Sequence, residues 1–165
     1  MPWKTTLDRA QRDKEEDKAP STQAGEFVRE EMEHIRRGKH GARNTKQAIA
    51  IGLSKARRSG VKLAPPKSGT SSESVRKQAE RDYAKGQRHE QPLHKRSVAR
   101  ERALKKEPHS AASHSALSKQ SREAASRRSR TSRSEAAKKA ARTKGAAGRS
   151  RAAQKAAHTR QRKAA

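Results

Sequence analysis

Cysteine is absent from this chain, and the aromatic residues are only Trp3, Phe27 and Tyr83. Without cysteine there is neither a disulfide framework nor a thiolate metal site. Three scattered aromatics cannot build the stacking platform on which RNA-recognition motifs and OB folds hold bases. Hydrophobic residues make up 28% of the 165, a little over half the share usual in a globular domain. The longest apolar run, Ala48 to Leu53, falls far short of the ~20 residues that a membrane span needs. The opening Met-Pro-Trp-Lys leads into polar sequence without the apolar core of a secretory signal. These absences predict a cytoplasmic protein with no membrane partner.

Acidic residues are also few: 17 Asp and Glu stand against 43 Lys and Arg, for a formal net charge of +26. A chain of low hydrophobicity and high net charge has little apolar surface to bury against the entropy of ordering. The expected fold is therefore all-α and largely disordered: a short helical hairpin, then weak helices, then a basic Ala/Lys/Arg/Ser tail. Net charge is 0 over residues 1–24, +6 over 25–64, +6 over 65–107 and +14 over 108–165. The imbalance predicts a semi-compact head followed by a tail that carries the charge.

Apolar periodicity is clearest between residues 22 and 63. Phe27, Val28, Met32 and Ile35 recur at helical spacing up to Gly38, a suitable residue just past a helix end. Asn44 is placed to cap a second helix, with Gln47 in the capping-box position. Ile49, Leu53 and Ala56 then form a stripe. Ser59-Gly60 stops it, and Val61 and Leu63 are set to fold back before Pro65-Pro66. The chain thus divides into a polar segment at 1–21, a hairpin at 22–63, a linker with weak helices at 64–107 and a low-complexity tail at 108–165. Within the tail, a pattern at Ser134–Lys144 returns at Ser150–Arg160, sixteen residues on. A fainter copy begins at Ser118.

The stretch Lys46-Gln-Ala-Ile-Ala-Ile-Gly-Leu-Ser-Lys-Ala-Arg-Arg-Ser-Gly-Val-Lys62 resembles the signature of a bacterial family of small basic proteins of unknown function. Longer members have a similar Gly25-Glu-Phe-Val-Arg-Glu-Glu stretch and a Lys/Arg/Ala tail, and are often labelled DNA-binding. The resemblance covers about 40 residues and carries no established activity. The tail is also similar to linker-histone tails, in composition alone.

A charge of this size needs a polyanion, so the expected function is sequence-nonspecific DNA binding through phosphates, as a nucleoid-associated or compacting protein. RNA or ribosome binding is the alternative, and a protein-interaction module with an avidity tail is a third. The expected phosphate contacts are Lys39, His40, Arg43, Lys46, Arg57 and Arg58 in the hairpin. Those in the tail are Arg127, Arg128, Arg130, Arg133, Lys138, Lys139, Arg142 and Lys144. Lys39, His40 and Arg43 precede a helix N-terminus, where free N–H groups attract anions. No catalytic residue is expected, since no nucleophile–base set, P-loop or carboxylate pair can be drawn. Glu30, Glu31 and Glu33 read as helix-surface partners of Arg29, Arg36 and Arg37. The histidine pairs 34/40, 89/94 and 109/114 lack the i, i+4 helical spacing. No metal site, cofactor or small-molecule ligand is expected.

Overall fold

Caps and breaks at the helix ends divide the chain. The computed structural model describes residues 2–90 and 94–164. It contains seven α-helices: α1 (Lys4–Glu15), α2 (Pro20–Arg36), α3 (Thr45–Arg58), α4 (Glu73–Gln87), α5 (His94–Lys105), α6 (His114–Ser126) and α7 (Arg130–Ala164). A 3-10 turn spans His109–Ala112 between α5 and α6. No strand occurs among the described residues. The chain is all-α, as its periodicity predicts. The expectation of a largely disordered chain is not supported, because helices cover most of the described length. The chain falls into two compact units, Met1–Gln120 and Ser121–Ala165, with the division inside α6.

Pro20 sits in the first turn of α2, where its missing N–H costs no hydrogen bond. The helix ends in a paired closure: Gly38 N–H donates to Ile35 O at 3.1 Å and Lys39 N–H to His34 O at 3.0 Å. That is the Schellman arrangement, with Gly38 at φ 70° in the left-handed position. The Asn44 side chain caps α3 by accepting from Gln47 N–H at 2.9 Å, and Gln47 Oε1 accepts from Arg43 N–H at 2.8 Å. The first half of the expected capping box is present; in the second, Gln47 reaches one residue further back, to Arg43 instead of the N–H of Asn44 itself.

The first unit packs with few large side chains. Its buried apolar residues include Ala10, Ala24, Ala42, Ala48, Ala56, Ala79, Ala111 and Ala112, with Phe27, Met32, Ile35, Val61 and Leu104. Alanine-lined helices approach closely, so each contact needs little apolar volume. That is why a count of hydrophobic residues underestimates the order. Helices α2 and α3 cross closely at Gly52, where a Cβ would stand 2.7 Å from Val28 Cα. The apolar resemblance motif therefore places its glycine at the point where α3 crosses α2.

Two apolar clusters flank this crossing. In one, Phe27 and Ala24 of α2 meet Ala10 of α1, Ala56 of α3 and the returning Val61, with Leu53 and Leu63 against them. In the other, Met32, Ile35, Ala42 and Ala48 meet Ala111 and Ala112, with Val28, Ile49 and Leu117 packed alongside. The hairpin is thus covered on both sides by sequence outside 22–63. The later sequence docks by hydrogen bonds: Gly41 N–H to Leu104 O at 2.9 Å, Ala42 N–H to Pro108 O at 3.0 Å, and Thr45 Oγ1 to Ala111 O at 2.7 Å. Arg36 Nε adds a bond to Ala112 O at 3.0 Å. Helix α4 packs on α3, where Ser54 Oγ donates to Asp82 Oδ2 at 2.6 Å.

The second unit comprises the end of α6 and all of α7. Helix α7 is interrupted at Gly145, whose φ of 65° and ψ of 173° are not helical. The break falls between the two copies of the repeat, so each copy is a separate helical segment. Their local bonding also repeats: Thr143 Oγ1 donates to Lys139 O at 3.0 Å, and Thr159 Oγ1 to Lys155 O at 2.8 Å.

Candidate functional site

Two features of the molecule carry chemistry. The first is the basic surface. In the second unit Arg127, Arg128, Arg130, Arg133, Lys138, Lys139, Arg142 and Lys144 are all exposed. A straight helix advances about 100° per residue, so the basic positions of 130–144 spread around the axis instead of forming one stripe. Among the described residues of α7 no side chain forms an ion pair.

The basic residues expected to act in the hairpin have more varied surroundings. Arg43 and Lys46 are exposed beside the α3 N-terminus, and Lys39 is exposed at the end of α2. The Gln47 N–H at that terminus is already taken by Asn44, which removes one of the donors a phosphate would use. Arg58 is half-buried, with Nη1 3.9 Å from Asp82 Oδ1. Arg57 is buried, and its guanidinium donates to Leu63 O at 3.2 Å and Ala64 O at 3.4 Å. Burial lowers its pKa from the ordinary arginine value, opposed by the charge of Asp82. Arg57 therefore holds the segment after α3 against the helix and is not presented to solvent.

His40 turns inward, to the second feature, a buried group of charges on α2. Glu30 and Glu31 are 1% and 0% exposed. Their neighbour Glu33 pairs with Arg37 across one helical turn, as sequence spacing predicts. Glu30 and Glu31 do not follow that pattern, because they share the buried face with Phe27 and His34. Lys55 of α3 brings its Nζ to 2.6 Å from Glu31 Oε2 and 3.5 Å from Glu30 Oε1. His40 Nε2 lies 3.2 Å from Glu31 Oε1 and His34 Nε2 3.7 Å from Glu30 Oε1. Trp3 closes the group from the N-terminal side. Its backbone N–H donates to Glu30 Oε2 at 3.0 Å, and its ring meets His34 edge-on at 4.5 Å between centroids. Lys39 Nζ stands over the Trp3 ring, 4.6 Å from its centroid.

The electrostatics of the group are unusual. Burial, and then the positive charge of Lys55, lower the pKa of His34 to about 4, so this ring is neutral near pH 7. The His40 ring places Nδ1 3.1 Å from the Gly41 carbonyl. A carbonyl only accepts, so Nδ1 carries the proton there. Glu31, His34 and His40 each offer a donor atom, and the three lie within 4.8 Å of one another. The spacing of histidines alone passed over this grouping. It depends on Glu31 at i, i+3 to His34, and on a turn that returns His40 along α2. A signal was present in the sequence: Glu30, Glu31 and His34 interrupt the apolar stripe between Phe27 and Ile35.

Residues 20–68 match a family of unknown function (DUF6496). The match takes in α2, α3 and the Glu31, His34, His40 and Lys55 group. Neither a curated protein nor a solved structure matches the chain. Among the described residues no helix is long and apolar enough to cross a membrane.

Proposed function

We propose that this protein binds nucleic acid through its phosphates, with duplex DNA as the preferred polyanion and no readout of base sequence. One observation carries the reading. Ser121–Ala165 holds 15 basic residues against two acidic ones, and the described basic side chains of α7 are without ion-pair partners. Positive charge around a whole helix neutralises phosphates on any side, but it does not aim a fixed set of donors at base edges. The alanines between the charges keep the surface low, so a phosphate backbone can approach closely. Like charges one turn apart, such as Lys138 and Arg142, repel along the helix. Bound phosphates relieve that repulsion, which couples binding to helix stability. The role that fits is nucleoid association or compaction of DNA, and the activity requires no catalytic group.

A fluorescence titration of the intact protein with random-sequence duplexes tests the proposal. With roughly ten phosphates contacted, log K should fall against log salt with a slope near −9. A flat salt dependence would sink the reading, as would strong preference for one sequence. Tighter binding to RNA of equal length would move the assignment to RNA.

A further inference from the structure

Glu31, His34 and His40 present three donor atoms to one another with no cation among them apart from Lys55. The two carboxylates of Glu30 and Glu31 are fully buried, and a single ammonium faces both. Buried carboxylates without full compensation are costly. The hydrogen bonding leaves the same gap. Glu30 Oε1, Glu31 Oε1 and Nε2 of His34 are buried without a hydrogen-bond partner, while Glu31 Oε2 is met by the Lys55 ammonium. With Nδ1 against the Gly41 carbonyl, His40 turns Nε2 toward Glu31 Oε1 at 3.2 Å.

We infer that Glu31, His34 and His40 form a binding site for a divalent transition-metal ion of the zinc type. Two imidazoles and one carboxylate are a donor set that such ions prefer, and hard ions such as magnesium do not. The separations of up to 4.8 Å exceed the roughly 3.4 Å edge of a tetrahedron with bonds of roughly 2.1 Å, a gap of the size that side-chain rotation closes. The Gly41 carbonyl orients His40 from behind, as outer partners do for metal-bound histidines. Glu30 stays outside the ligand set, held by the Trp3 N–H. Lys55 is the internal competitor. Its ammonium occupies one oxygen of Glu31, and its side chain is 24% exposed, so an arriving cation can displace it toward solvent. Three protein ligands leave a fourth position for water. The ion would fasten the turn after α2 to the helix itself.

The full-length protein, freed of metal with a chelator, is titrated with Zn2+ and separately with Co2+. Melting temperature and the visible d–d absorption of cobalt are followed. One equivalent should bind, raise the melting temperature and produce a low-symmetry cobalt band. His40→Ala alters a turn residue outside the core, and should weaken binding by more than the roughly 100-fold attributed to loss of an outer partner. Lys55→Met removes the competitor and should tighten binding measurably. Magnesium should leave the melting temperature unchanged. Absence of saturable binding would overturn the site, as would equal affinity in wild type and His40→Ala, which would place the ion on other histidines. Weaker binding in Lys55→Met would show that the lysine supports the site instead of competing for it, and would overturn the arrangement given.

Discussion

The two units of this protein carry the same net charge in very different ways. Met1–Gln120 has 28 basic and 15 acidic residues, and Ser121–Ala165 has 15 and two, so each comes to +13. In the first unit much of the basic charge is engaged. Arg76 pairs with Glu73 and Glu80, Lys85 with Glu90, Lys105 with Glu101, and Lys55 with the buried pair on α2. In the second unit there is little acid to pair with, and the charge faces water. Equal net charge therefore does not mean equal capacity for phosphate. What matters is how many cations are left without an internal partner, and at what density along the chain.

The strongest way to break this comparison is to delete residues 121–165. DNA affinity should drop by orders of magnitude and the salt slope should flatten, while the melting temperature of the remaining chain stays close to that of the full protein. Anisotropy titrations at several salt concentrations measure the first part and circular dichroism the second. If the truncated protein binds as tightly as the intact one, the first unit is the binding surface and the contrast fails.

The converse damage is Phe27→Ala, which empties a site that is 1% exposed. Loss of a buried phenylalanine costs about 3–5 kcal/mol, a large share of the stability of a unit this size. Denaturant unfolding should show the loss. DNA affinity should change only a few-fold, since the charge of 121–165 remains.

Two arginines sharpen the comparison further. Arg57→Ala should cost roughly 1–3 kcal/mol of stability, because the Leu63 and Ala64 carbonyls lose their donor, and it should leave the salt slope unchanged. Arg133→Ala should do the reverse, with an unchanged melting temperature and a salt slope smaller by about 0.9. The same residue type then reports two roles according to its surroundings.

The smallest expected effect is that of Gly145→Ala. The left-handed φ at this position is unfavourable for alanine, and alanine favours a continuous helix by about 1 kcal/mol over glycine. Far-ultraviolet dichroism should show slightly more helix, with DNA affinity within a few-fold of wild type. Unchanged helicity would show that the break between the two repeats is set by something other than the glycine.

Much of the local structure was legible before any packing was known. Gly38, the Asn44 cap on α3 and the stop at Ser59-Gly60 depend on residues within a few positions of one another, and such signals survive in any context. The charge gradient is equally a property of the sequence. The buried group on α2 was not legible from spacing, because Lys55 approaches Glu31 only after α2 and α3 cross at Gly52. Trp3 approaches from before α1, beyond the reach of any helical periodicity.

The amino-acid sequence by itself determined that the chain is helical, where its central helices begin and end, and that its last third carries a net charge of +14. Those properties follow from short-range hydrogen bonding and from composition. Tertiary structure alone decided which charges are spent. It turned His40 inward, locked Arg57 onto the Leu63 and Ala64 carbonyls, and buried Glu30 and Glu31 around Lys55 and two histidines. The physical reason is that the energy of a charge depends on what surrounds it, and the surroundings of a helix face are supplied by distant parts of the chain.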